Sequence, residues 1–140
     1  MYFYRMKHIY IASAAILNDK NELLLVRKNG SPFFQLTGGK IDPNETEIET
    51  VIREIKEEIG LSVSLDQLTY LGEHQTQAVN EVDTVVHGSI FIVQLNTPFT
   101  PKIANEIEEF AWLNTTNFQK YQWAHLAKEF VQPWWLQLHS

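Results

Sequence analysis

The segment between residues 46 and 60 admits one kind of secondary structure. Thr46 and Glu49 have the spacing of a capping box, in which each side chain satisfies a backbone amide left free in the first helical turn. Apolar residues then recur at helical period and cover an arc of about 100°: Ile48, Val51, Ile52, Ile55 and Ile59. Gly60 stands where such a helix ends. The sequence therefore predicts an amphipathic helix that must pack its apolar face against another element.

A second face of this helix is acidic. Glu54, Glu57 and Glu58 lie at positions i, i+3 and i+4, where like charges repel by about 0.2–0.5 kcal/mol per pair. On spacing alone, a solvated acidic face is the simpler interpretation. However, Gly38-Gly39 supplies flexible backbone beside the same helix, and clustered carboxylates suit Mg²⁺ or Mn²⁺. A bound divalent cation would remove the repulsion and present positive charge to a phosphate.

The rest of the chain alternates strand and helix patterns. Strands are predicted at Ile9–Leu17, Glu22–Lys28, Leu68–Gln77, Thr84–Leu95 and Ile107–Leu113, with a short extended segment at Phe33–Thr37. Two prolines make Thr97–Asn105 a loop. Asn117–Val131 has helical spacing, and Pro133 is expected to end this second helix before an apolar tail. The pattern predicts an α/β domain with helices packed on a mixed sheet, and since no linker or repeat interrupts residues 1–140, we expect one domain.

Charge and cysteine content exclude several classes of function. Seventeen acidic and eleven basic residues give a net charge of −6, so binding to duplex nucleic acid is not expected. The absence of cysteine excludes disulfides, thiolate metal sites and cysteine nucleophiles. The apolar run Ile9–Leu17 is shorter than the roughly 20 residues of a membrane span, and its small residues lie inside the run, unlike those of a signal peptide. We expect a cytoplasmic protein with no membrane partner.

Residues 39–61 carry a longer spaced motif. Gly39 is followed after five residues by Glu45, and after seven more by Arg53-Glu54-Ile55-Lys56-Glu57-Glu58-Ile59-Gly60-Leu61. Every fixed position resembles the signature of the Nudix hydrolases, the MutT-like pyrophosphohydrolases. The resemblance implies a Nudix-type α/β/α sandwich with a mixed β-sheet, in which the signature forms a loop, a helix and a loop. It also implies Mg²⁺-dependent attack of water at phosphorus, with Mn²⁺ as an alternative cofactor. The linkage cleaved would be the diphosphate of a nucleoside diphosphate joined to another moiety.

The same resemblance assigns roles to single residues. The metal would be held by the helix carboxylates, a backbone carbonyl and an acid from a later loop: Glu54, Glu57, Glu58, Gly38 and Glu106. Arg53 would pair with Glu45 and hold the loop against the helix. Glu108 and Glu109 are alternatives to Glu106, and the general base stays open among Glu54, Glu57 and Glu106.

Three positions differ from the residues most common in the family. Asn44 precedes Glu45 where glycine is frequent, and asparagine tolerates a left-handed backbone. Thr37 stands in place of a frequent proline, and Thr50 in place of a frequent alanine. Since none of these changes removes a ligand, we expect activity to be retained.

Substrate contacts are less well specified. Arg27 and Lys28, at the end of the second strand, are candidates for phosphate binding, with a solvent-facing strand end as the alternative for each. Gly39 and Phe34 are further candidates, Phe34 by stacking on a base, although aromatic residues in strands more often belong to the core. Residues 76–79 lack the proline or tyrosine found in the subfamilies for ADP-ribose, coenzyme A and dinucleoside polyphosphates. This favours a (d)NTP or another small nucleotide derivative as the partner.

Other functions remain to be compared with this one. An RNA 5′-end pyrophosphohydrolase would need a basic groove, which eleven scattered bases do not indicate. A nucleotide-sensing module without turnover would usually have lost signature acids, all of which are present. The diphosphate isomerases of this fold depend on a cysteine that the chain lacks. Trp123, Trp134 and Trp135 either bury the C-terminal tail, which we favour, or form a dimer surface, so a monomer or a homodimer is expected.

Overall fold

A computed structural model of the chain describes residues 5–79, 81–104 and 106–140. The strands are β1 (Lys7–Leu17), β2 (Leu23–Lys28), β3 (Phe34–Gln35), β4 (Thr37–Lys40), β5 (Thr69–Gln77), β6 (Thr84–Gln94) and β7 (Ile107–Leu113). The α-helices are α1 (Glu47–Ile59) and α2 (Gln132–Gln137), and a π-helical turn, Ala127–Val131, leads directly into α2. Short 3₁₀ turns lie at Leu65–Gln67 and Phe118–Lys120. Asn105, the last residue of the predicted loop, lies outside the described residues.

One mixed sheet contains all of these strands. Its order is β3-β2-β1-β6-β5, with β4 also pairing with β1 and β7 with β2. β1 and β6 are parallel along their whole length, and the other pairs are antiparallel. Because β1 lies in the middle of the sheet and its second half, Ala12–Leu17, is covered on both faces, that half consists of apolar and small residues. The predicted mixed sheet is confirmed.

Helical segments cover the two faces of the sheet. Alternate residues of a strand point to opposite faces, so β1 contributes to two separate cores. The core under α1 includes Ala12, Ala14, Ile16, Leu24, Val26, Val51, Ile55 and Ile59. The core under the C-terminal segment includes Ala15, Leu17, Leu23, Leu25, Trp123, Leu126, Val131 and Trp135. This arrangement is the predicted α/β/α sandwich.

The ends of α1 are those that the sequence predicts. The Thr46 side chain accepts a hydrogen bond from the Glu49 amide at 3.1 Å, and the Glu49 carboxylate accepts one from the Thr46 amide at 2.9 Å. Gly60 ends the helix in a left-handed conformation with φ of 74°, which glycine adopts without the steric cost of a Cβ. Both caps are local interactions, and local spacing was sufficient to predict them.

The predicted second helix, Asn117–Val131, is wrong in both its start and its end. Helical structure begins at residue 125, after the 3₁₀ turn Phe118–Lys120, and continues through Pro133 to Gln137. The Gln132 amide donates to the Ala127 carbonyl across a wide π turn, and Pro133 follows in the first turn of α2. Pro133 has no N–H to donate, and it follows directly after this wide turn, where the helix already departs from α-helical hydrogen bonding.

The apolar C-terminal tail belongs to the core. Trp135 is fully buried and Trp123 is 6% exposed, and their ring centroids lie 6.1 Å apart. Each indole N–H donates to a backbone carbonyl, that of Trp135 to Asn21 and that of Trp123 to Phe118. The preferred burial of the tryptophans is thus confirmed for these two, while Trp134 is partly buried. No helix in the described part of the chain is long and apolar enough to cross a membrane.

Candidate active site

An ion pair joins the start of the signature loop to α1. Arg53 Nε and Nη2 donate to the two carboxylate oxygens of Glu45 at 2.7 and 2.9 Å. The Thr50 hydroxyl donates to the same carboxylate at 2.9 Å. These bonds, chiefly the one from Arg53, lower the pKa of Glu45 to about 2, and in turn Glu45 raises the pKa of Arg53. The predicted contact between Arg53 and Glu45 is present, and it fastens the loop to the helix.

The same guanidinium also binds acids outside this pair. Arg53 Nη1 donates to Glu54 at 2.9 Å and to Glu57 at 3.2 Å. Its Nη2 lies 3.4 Å from a carboxylate oxygen of Asp42. Sequence reasoning missed the roles of Asp42 and Thr50. Their places in the sequence, three residues before Glu45 and five residues after it, are the signal that could have identified them.

Glu58 is the most buried acid of the site. Its side chain lies inside the molecule, 3% exposed, and Oε1 accepts a hydrogen bond from the Gly38 amide at 3.0 Å. Oε2 is buried and has no hydrogen-bond partner within the described residues. Burial raises the pKa of Glu58 to about 8. A buried oxygen of this kind requires a proton or a cation to offset the loss of water.

Gly38 and Gly39 lie in strand β4, so the prediction of flexible backbone at this point is wrong. They pair with Ser13 and Ala12 of β1. A Cβ atom on Gly38 would overlap the backbone of β1, and one on Gly39 would lie 2.6 Å from the Glu54 carboxyl carbon. The glycines are required because β4 passes directly between β1 and the acidic face of α1.

The three helix acids have different surroundings. The Glu54 side chain is 13% exposed, and burial raises its pKa against the opposing effect of Arg53. The Glu57 side chain is 55% exposed, and Glu58 is enclosed. The three carboxylates on this face of α1 therefore differ in exposure, from exposed Glu57 through partly buried Glu54 to enclosed Glu58. Their spacing alone did not predict this difference.

This donor set fits a divalent cation in its chemistry. The oxygens are hard ligands, the Glu58 Oε2 atom is buried with no hydrogen-bond partner among the described residues, and Gly39 leaves space beside the Glu54 carboxylate. Within residues 5–79, 81–104 and 106–140, no group of three acidic or histidine side chains is already arranged to hold a metal ion. Arg53 Nη1 instead bonds one oxygen of Glu54 and one oxygen of Glu57.

Among the later acids, Glu106 is the one near the helix. It precedes β7, and its charge raises the pKa values of both Glu54 and Glu58. Its carboxylate also lies 3.9 Å from the Lys28 ammonium. Glu108 and Glu109 instead form ion pairs with Arg27. The structure thus brings Glu106 to the acidic face of α1 and gives its two alternatives another partner.

The candidate substrate-binding residues fall into two groups. Arg27 is bound by Glu108, Glu109 and the Ser31 carbonyl, and Phe34 is 7% exposed with its ring packed edge-on against Tyr121 at 4.9 Å. Phe34 therefore belongs to the core, which the tendency of strand aromatics indicated. Lys28 and Gly39 both line a cleft next to the acidic face.

This cleft has a volume of about 190 Å³ and lies between the sheet and the start of the C-terminal helical segment. Its lining includes Ile9, Ile11 and Val86 from the sheet, Thr76–Val79 at the end of β5, and Ala124–Ala127. Sequence reasoning missed the contribution of residues 124–127, because it placed them in the middle of a helix that in fact begins there.

Two curated proteins have sequences similar to that of this chain. The m7GpppN-mRNA hydrolase of Saccharomyces cerevisiae is 28% identical over 128 residues, which are 89% of this chain and 13% of that protein. The 8-oxo-dGTP diphosphatase of Escherichia coli is 34% identical over 61 residues, 41% of this chain and 47% of that protein. The chain thus spans less than half the length of either relative.

The fold is shared with solved structures. The E. coli dihydroneopterin triphosphate pyrophosphohydrolase superposes with a TM-score of 0.73 at 17% identity, over 94% of this chain and 99% of that one. The sequence profile of the NUDIX domain matches residues 7–133. Since that match takes in the sheet, the signature helix and most of the C-terminal segment, the chain belongs to the NUDIX domain family.

Proposed function

We propose that this chain is a Mg²⁺-dependent hydrolase of the diphosphate linkage in a nucleoside diphosphate joined to another moiety. A (d)NTP or another small nucleotide derivative is the proposed substrate, and Mn²⁺ is an alternative cofactor. The observation that carries the proposal is the buried, unpartnered oxygen of Glu58, next to Gly38 and the partly buried Glu54. The name of the E. coli relative, an 8-oxo-dGTP diphosphatase, supports the same substrate class.

The metal ligands would be the carboxylates of Glu54, Glu57, Glu58 and Glu106 with the Gly38 carbonyl. A cation bound there supplies positive charge to the phosphate oxygens and lowers the pKa of the attacking water. Arg53 orients Glu54 and Glu57 through Nη1 while Glu45 holds the guanidinium in place. Lys28, near Glu58 and Glu106, adds positive charge at the cleft.

A carboxylate must also take the proton of the attacking water. Glu54, Glu57 and Glu106 are the candidates. In the metal-free protein, burial raises the pKa of Glu54, while the hydrogen bond and charge of Arg53 oppose this rise. Arg53, bonded to Glu54 at 2.9 Å, keeps this carboxylate in one orientation.

A second candidate function is hydrolysis at the 5′ end of RNA. The yeast mRNA hydrolase matches 89% of this chain, which is the observation in its favour. The net charge of −6 opposes it, because RNA binding depends on neutralising several phosphates. Binding of a nucleotide without turnover is the third outcome that an experiment must separate.

The test is product release from a panel of substrates with Mg²⁺ or with EDTA. The panel contains canonical and oxidised (d)NTPs, ADP-ribose, dinucleoside polyphosphates and 5′-triphosphorylated RNA. We expect one small nucleotide to be preferred, and Glu54→Gln and Glu57→Gln to lower kcat by about 100-fold or more. Glu47→Gln, an exposed acid at the other end of α1, is the matched control with unchanged kcat. Turnover that persists in EDTA or in both site variants contradicts the proposal.

A further inference from the structure

The floor of the cleft is an apolar part of the sheet. β1 and β6 are parallel neighbours, in which Ile9 pairs with Val86 and Ile11 with Gly88. Ile9, Ile11 and Val86 line the cleft, and the glycine pair of β4 lies at its side together with Lys28. An apolar floor suits the face of a nucleotide base, and a lysine beside the acidic face suits the phosphates of the same nucleotide. The cleft therefore fits a nucleotide with its base against the sheet.

One wall of the cleft is the start of the C-terminal helical segment, which packs on the sheet where the strands carry glycine. Leu126 lines the cleft, and a Cβ atom on Gly88 would lie 2.6 Å from its Cδ2 and 3.0 Å from its Cδ1. One helical turn later, Phe130 lies over Gly72 of β5, where a Cβ atom would be 2.9 Å from Cζ of the ring. The side chains of Leu126 and Phe130, four residues apart, thus occupy the space that side chains at Gly88 and Gly72 would fill.

Further contacts attach this helical segment to the sheet. His125 Nδ1 lies 2.9 Å from the Gln77 carbonyl, and since a carbonyl only accepts, Nδ1 carries the proton. His74 Nε2 lies 2.9 Å from the Glu129 carboxylate. Both contacts tie the helical segment to β5, on either side of Leu126. The helical segment is therefore attached to β5 on either side of Leu126, whose side chain lines the cleft.

We infer that the contact between Leu126 and Gly88 sets the width of the cleft, and that Leu126 selects the base of a bound nucleotide by its size. This inference rests on the proposed function, because it assigns the cleft to the nucleoside part of the substrate. An extra methyl or methylene group in such a pocket discriminates between ligands by about 10- to 200-fold. Leu126 is a specificity-determining residue and takes no part in the chemical step.

The test changes the width from both sides. Gly88→Ala displaces the Leu126 methyl groups into the cleft, and we expect it to weaken binding of GMP relative to CMP by about tenfold. Leu126→Val widens the cleft and shifts the same ratio of dissociation constants the other way. The double variant returns the ratio toward that of the parent protein. Calorimetric titration with Mg²⁺ and each monophosphate measures the ratio, and hydrolysis of GTP and CTP should show the change in KM and not in kcat.

Phe130→Leu is the matched control. It weakens the packing of the same helical segment on β5, yet Phe130 and Gly72 lie outside the cleft lining. We expect a lower melting temperature with an unchanged ratio of dissociation constants.

The outcomes separate the inference from the proposed function. An unchanged ratio in both Gly88→Ala and Leu126→Val overturns the inference, even if hydrolysis is normal. A change in Phe130→Leu as large as that in Gly88→Ala also overturns it, since the effect would then be one of general loosening. A parent protein that binds neither monophosphate overturns it as well. If the ratio moves as expected but no nucleotide is hydrolysed, the inference stands and the proposed function fails.

Discussion

The variant Glu58→Gln tests whether the buried carboxyl group of Glu58 is neutral in the folded, metal-free protein. Oε1 accepts a hydrogen bond from the Gly38 amide, while Oε2 has no partner within the described residues. Glutamine keeps the acceptor and the shape of the side chain but cannot ionise. The variant therefore mimics the protonated form at every pH. Its free energy of unfolding should change relative to that of the parent only across the pH range in which Glu58 titrates.

The size of the effect follows from the pKa of Glu58, which burial raises from 4.5 to about 8. Between these values the folded chain retains a proton that the unfolded chain releases, so stability falls as pH rises through this window. The contribution is fully present below pH 4.5 and is lost by pH 8. The loss amounts to about 3 kcal/mol at pH 7 and about 5 kcal/mol above pH 8.

Urea unfolding in EDTA at pH 5, 7 and 8.5 measures this loss directly. We expect the free energy of unfolding of Glu58→Gln, relative to that of the parent, to increase by about 4 kcal/mol from pH 5 to pH 8.5. Any constant cost of the amide cancels in this comparison, and Glu47→Gln, at an exposed site on the same helix, serves as the control with no such increase. A difference that stays constant with pH would refute the reasoning. Adding Mg²⁺ at pH 8.5 should then stabilise the parent protein and not the variant.

Three further predictions concern the surroundings of this carboxyl. Arg53→Ala should lower the free energy of unfolding by about 1–3 kcal/mol at pH 7. Because the low pKa of Glu45 predicts that the parent loses stability on acidification below pH 4.5, the variant should also lack this loss. Urea titrations at pH 3 and pH 7 check both effects, and equal sensitivity to acid in parent and variant would contradict the second. Gly39→Ala should displace the Glu54 carboxylate, whose carbon would lie 2.6 Å from the new Cβ, and lower kcat by about 10-fold or more; unchanged steady-state rates would show that Glu54 can move without cost. Glu106→Gln should lower kcat whereas Glu108→Gln should not, because only Glu106 lies near the acids of α1; equal effects in the rate assay would contradict this assignment.

The sequence predicted α1 to the residue because the relevant interactions are local. The capping box, the apolar period and the terminal glycine all lie within one 15-residue window, and the structure retains each of them. The resemblance to the Nudix signature also anticipated the contact between Glu45 and Arg53, which the structure contains. The same local reasoning misplaced the C-terminal helix. The apolar spacing continues through the 3₁₀ turn Phe118–Lys120 and the non-helical residues after it, whereas the helical segment begins only at residue 125.

Tertiary structure alone decided how the site residues differ from one another. Nothing in the spacing of Glu54, Glu57 and Glu58 shows that Glu58 is enclosed and Glu57 exposed, because that depends on β4 lying against one end of the acidic face. The carboxylate partners of Arg27 come from β7, more than 80 residues away, and Leu126 meets Gly88 only because a helix docks on the opposite face of the sheet. The sequence by itself determined the mixed α/β pattern and α1, which follow from short-range periodicity, and the resemblance of residues 39–61 to the Nudix signature indicated the family. Burial, pKa shifts and the shape of the cleft depend on contacts between distant segments, and these exist only once the sheet has formed.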